Sequence, residues 1–119
     1  MSLAAHSRTH ARLDRLPLDE VRVEVEASHA DLEREVGPTP RAVAYPSGGF
    51  TRGVLDVLRD LGFAIGFTTE RGTNDVTSVD WLRLRRINVG RRTSLGLLHL
   101  QLLPWFARAT RATTIPDAA

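Results

Sequence analysis

A chain of 119 residues, 42% hydrophobic and 25% charged, can bury one real core and does not have the composition of a disordered segment. Its 16 basic residues, all Arg, face 14 acidic ones, so the sequence pI of about 10.3 reflects the scarcity of groups titrating between His and Arg and not a cationic nucleic-acid surface. Zero Cys excludes disulfides, thiolate zinc sites and cysteine nucleophiles, and no apolar stretch reads as a membrane span or a secretory signal.

Taken in chain order, residues 3–5 read as a strand stub that runs straight into the chain start. His6-Ser7-Arg8-Thr9-His10 follows at once, two imidazoles four apart, which a helical turn would bring to one side as a metal pair requires. From Leu18 to Val36 the residues Val21, Val25, Leu32 and Val36 share a helical face, with Pro17 at the start and Asp19 and Glu20 in the first turn. His29 falls among charges in that helix and is expected to face solvent. Gly37-Pro38-Thr39-Pro40 makes a turn, and residues 41–45 form a short buried strand ending at Pro46-Ser47-Gly48-Gly49. By itself that tetrapeptide is either a plain turn or a loop whose Ser47 and Gly48 amides point into a site.

Thr51 can cap a second helix with Val54, Leu55, Leu58 and Leu61 inward and Gly62 at its close. A strand over 63–67, a polar loop over 68–79 and an alternating strand over 81–89 come next. Asp80-Trp81 is expected to start that last strand with a packed indole. Arg83, Arg85, Arg86, Arg91 and Arg92 make a basic cluster that suits a solvated strand face or an anionic polymer. A Leu-rich helix over 94–109, kinked at Pro104, serves as an interfacial helix or as the seal of a rim. Strands alternating with helices predict an α/β fold, three to four parallel strands with outer helices. A closed barrel needs about 250 residues, so the pattern reads as part of one.

The ordered series His6-Ser7-Arg8-Thr9-His10, Ala42-Val43-Ala44-Tyr45-Pro46-Ser47-Gly48, Leu61-Gly62-Phe63 and Leu84-Arg85-Arg86-Ile87-Asn88-Val89 resembles the polysaccharide deacetylases (carbohydrate esterase family 4, NodB-like). The resemblance implies a partial (β/α) barrel of the deacetylase type over residues 1–109, a flexible tail over 110–119, and an origin in bacteria. It implies that His6 and His10 hold a divalent metal, zinc first among them. It also implies that Tyr45 and Pro46 line the substrate groove, and that Ser47 and Gly48 offer main-chain oxyanion donors. The reaction implied is hydrolysis of N- or O-acetyl groups of an acetylated polysaccharide or oligosaccharide, with no role for nucleic acid.

Three departures bear on activity. The family's strand ending in two aspartates, which supplies the base and a third ligand, should precede His6 and has no counterpart in this chain. Ala44 stands where many members carry an arginine, and His99 in Leu95-Gly96-Leu97-Leu98-His99 is only faintly like the family's leaving-group histidine. The expectation is therefore a deacetylase domain inactive as this chain alone. The alternative is a non-catalytic carbohydrate-binding or interaction module whose open sheet edge is covered by a partner chain or a second copy.

Overall fold

The computed structural model describes residues 2–105. The expected tail over 110–119 and the last residues expected in the C-terminal helix, 106–109, lie outside the described residues. The first regular element is α1, Leu18–Val36. Its inward face is Val21, Val25, Ser28 and His29, the stripe that helical periodicity predicts with two polar members added.

Strand β1, Ala42–Ala44, leads through the Pro46–Gly48 turn to helix α2, Arg52–Asp60, whose Thr51 hydroxyl accepts the Val54 amide. Strand β2, Ile65–Arg71, and strand β3, Leu84–Arg86, complete an open parallel sheet ordered β1-β2-β3. The stub expected at 3–5 is present as a single parallel bridge, Ala5 to Val43, on the free side of β1. Beneath the sheet, Val21 and Val25 of α1, Val54 and Leu58 of α2, and Val43, Tyr45, Phe63 and Leu82 form one buried cluster.

Three elements differ from the sequence expectation for local reasons. β2 runs four residues past Phe67, because the inward face of this strand is Gly66 and Thr68 and not a row of aliphatic side chains. Thr68 is fully buried and its hydroxyl donates to the Leu84 carbonyl at 3.0 Å. The strand expected over 81–89 shrinks to β3, since Asp80 accepts the Leu82 amide and winds Trp81–Arg83 into a 3-10 turn. Trp81 is 48% exposed, so its indole is not packed as expected.

The Leu-rich helix α3 spans Leu95–Leu102, shorter than the expected 94–109. Leu103 is extended, at ψ 126°, because the ring of a following proline disfavours helical backbone in the residue before it. Helix α3 ends there, and helical backbone resumes at Pro104 and Trp105, an interruption at the expected proline.

His29 also departs from expectation. It is 4% exposed, with its ring edge-on to Phe63 at 5.6 Å and Nε2 at 3.4 Å from the Glu33 carboxylate. Among the described residues Nδ1 of that ring has no hydrogen-bond partner.

Candidate active site

At the carboxyl end of β1 two segments meet. The β1 edge fixes Ala5 through Ala5 N–H to Ala42 O at 2.9 Å and Ala44 N–H to Ala5 O at 2.8 Å, so His6 emerges beside the last residues of β1. Its Nδ1 lies 2.7 Å from the Ala44 carbonyl oxygen. A carbonyl only accepts, so Nδ1 carries the proton, and in the neutral ring the lone pair is on Nε2.

The His6 and His10 rings lie with centroids 4.8 Å apart, tilted by 64°. The proximity does not come from the helical turn that the spacing suggested. Residues 6–10 are irregular, and Ser7 and His10 take left-handed φ of 50° and 62°.

Several bonds hold this loop. Ser28 Oγ accepts the His6 amide at 3.3 Å, and Ser7 Oγ donates to the Ala11 carbonyl at 3.2 Å. Glu24 Oε2 accepts the Arg8 and Thr9 amides at 2.8 and 2.9 Å, while Oε1 accepts the Thr9 hydroxyl at 3.0 Å. The Thr9 amide, first among these donors, holds the Glu24 carboxyl below the usual glutamate range. Neither Glu24 nor Ser28 was marked by sequence reasoning. The only trace was polar residues on or beside a stripe that is otherwise Val and Leu.

The Pro46–Gly48 turn sits at the same end of β1. Ser47 and Gly48 take φ of 55° and 73°, and a Cβ on Gly48 would overlap the Thr69 side chain. The Gly48 amide donates to the Tyr45 carbonyl at 2.8 Å and closes the turn. Of the two expected main-chain donors, Gly48 is thus committed within the turn, which leaves the Ser47 N–H.

Tyr45 is 2% exposed and Pro46 is fully buried, so neither side chain lines a groove among the described residues, contrary to expectation. The Tyr45 ring packs 5.2 Å from Phe50, and its hydroxyl donates to the Leu82 carbonyl at 2.7 Å. Burial pushes the phenol pKa well above its ordinary value.

The His6–His10 pair fits a divalent metal as two of its ligands. A locked Nδ1–H to a backbone carbonyl is the orienting contact that imidazole ligands carry. Among the described residues no group of three His, Cys, Asp or Glu side chains comes together. His99 is exposed on α3 and makes no ring contact with the pair. The basic cluster divides: Arg83 lies over the Phe50 ring at 5.2 Å and Arg85 pairs with Glu70 at 3.5 Å, while Arg86, Arg91 and Arg92 are exposed.

The described chain is thus an α/β protein whose open parallel sheet carries paired histidines and a proline-glycine turn at one strand end. The polysaccharide deacetylase family model matches residues 1–66, more than half of the chain, and the chain belongs to that family. The Streptococcus pyogenes deacetylase PplD, solved in complex with acetate, is similar at 27% identity and a TM-score of 0.73, over 83% of this chain and 43% of that one. The putative polysaccharide deacetylase BA0330 of Bacillus anthracis shares the fold, with 23% identity and a TM-score of 0.74 over 86% of this chain and 32% of its own. This chain therefore spans less than half the length of either structure. No curated protein matches it significantly.

Proposed function

We propose that this chain supplies the histidine-bearing part of a metal-dependent deacetylase of carbohydrate polymers. His6 and His10 act as two metal ligands and the Ser47 N–H as a main-chain donor to the developing oxyanion. The observation that carries the reading is the bond from His6 Nδ1 to the Ala44 carbonyl, which in the neutral ring reserves the Nε2 lone pair for a ligand, with the His10 ring 4.8 Å away.

His6 and His10 would hold a divalent ion, which would supply Lewis-acid polarisation of the acetyl carbonyl and activation of a water. Zinc suits such nitrogen donors. The protein's own part is orientation. His6 is held in one tautomer, and on this reading the Ser47 amide, set by left-handed backbone at Ser47 and Gly48, serves as the donor to the acetyl oxygen.

The substrate on this reading is an acetylated polysaccharide or oligosaccharide, with acetate as the product. No described helix is long and apolar enough to cross a membrane. Because no third protein ligand and no general base join the pair among the described residues, the 119-residue chain alone should hydrolyse acetyl groups poorly or not at all.

The test is zinc affinity by equilibrium titration, in the wild-type chain and in His6→Ala and His10→Ala. Weak but saturable zinc binding in the wild type, as two imidazoles without a third described ligand allow, and a drop in affinity of at least about tenfold in each variant is the expected result. Equal zinc in all three would remove the functional reading of the pair.

A further inference from the structure

We propose that Glu24 is a positioning residue for the histidine pair: from α1 its carboxylate takes the Arg8 and Thr9 amides and the Thr9 hydroxyl, and so sets the loop shape that brings the two imidazoles together. The proposal deepens the reading of His6 and His10 as metal ligands and rests on it for its zinc consequence.

The loop cannot hold this shape by regular structure. Residues 6–10 form neither helix nor strand, and Ser7 and His10 sit in left-handed backbone that side chains other than glycine rarely adopt. His6 is anchored twice, by Ser28 and by Ala44, but among the described residues no hydrogen bond anchors the His10 side chain. Its place beside His6 therefore depends on the path of residues 7–9. Glu24 meets that path at its middle with three bonds of 2.8 to 3.0 Å. Charge strengthens each bond, because an ionised carboxylate accepting an N–H or O–H is about twice as effective as a neutral acceptor.

Glu24 and Ser28 are four apart, so one face of α1 holds both the start and the middle of the loop. Asp at position 24 would fall one methylene short. Gln keeps the shape, with its oxygen accepting the two amides and its NH2 donating to the Thr9 hydroxyl.

The experiment uses the full chain and compares Glu24→Ala, Glu24→Gln and His10→Ala with wild type. The readouts are amide exchange at Arg8 and Thr9, the nuclear Overhauser contact between the His6 and His10 rings, and zinc affinity by competition with a chelator. Glu24→Ala should lose protection at both amides and the ring contact, with zinc affinity about tenfold or more lower, while the core signals of Val43 and Val54 stay. Glu24→Gln should restore all three. Retention of protection and ring contact in Glu24→Ala overturns the proposal. Should Glu24→Ala disturb the core, Glu24→Asp, one methylene short of the loop, takes its place, and retained protection and ring contact there overturn the proposal equally. Equal zinc in wild type and His10→Ala would sink the metal reading, whereas the exchange and ring-contact data would still decide the role of Glu24.

Discussion

Tyr45 ties the site to the core through one bond. Its hydroxyl reaches the Leu82 carbonyl past Gly66, where any Cβ would come within 2.6 Å of the tyrosine oxygen. Tyr45→Phe leaves that carbonyl without its donor and should cost about 1–3 kcal/mol in a urea unfolding curve. The same burial makes stability fall at alkaline pH. The folded phenol holds its proton more tightly than the unfolded one, so its contribution is complete below the ordinary value of 10.0 and shrinks as pH rises beyond it. Thermal melts between pH 9 and 11, at about constant ionic strength, should show a decline in wild type that is smaller in Tyr45→Phe. Gly48 is the other sensitive residue, because its φ of 73° and the adjacent Thr69 leave no room for a side chain. Gly48→Ala should destabilise by at least about 1–3 kcal/mol, read as a lower urea midpoint.

Helix α2 carries the connection between β1 and β2 and starts on a single side-chain bond, Thr51 Oγ1 accepting the Val54 amide at 3.3 Å. Thr51→Ala should lower stability by about 1 kcal/mol, while Thr51→Ser should change it little; chemical denaturation of the two variants separates them. The capping residue and the apolar stripe of α2 were legible in the sequence, as were the bounds of α1, because both follow from local chemistry and a period of 3.6. What was not legible depended on partners distant in sequence. The inward face of β2 is Gly66 and Thr68, and nothing apolar marks it until Tyr45 and Leu84 are in place to receive it. His29 looked solvent-facing among Asp and Glu neighbours, yet it lies against Phe63 from another element. The His6–His10 spacing pointed to a real proximity of the rings, but by way of a helical turn. The actual route is an irregular loop shaped by Glu24 and Ser28, and four-residue spacing carries no trace of that.

At the scale of the molecule, burial is unevenly shared. α1, α2, the sheet and the turn before α1 own the core, whereas no residue of α3 is buried and Leu95 is 76% exposed. Described residues thus give α3 a capped start, Ser94 Oγ accepting the Leu97 amide at 3.2 Å, but no packed face. A helix of eight residues is too short to be stable in water on propensity alone. Its backbone bonds should therefore open far more readily than those of α1 or α2, by local unfolding and not by global unfolding. Replacing Leu97 and Leu100 together by Ser should leave the urea midpoint within about 0.5 kcal/mol of wild type. Leu58→Ala, at a fully buried position of α2, should cost about 2–5 kcal/mol. Native-state amide exchange in the wild type should rank the helices the same way, with α3 exchanging fastest. Slow exchange across Leu97–Leu102, or a large loss from the double Ser variant, would mean that the apolar face of α3 is packed in solution, and the core would then extend beyond the sheet and its two helices.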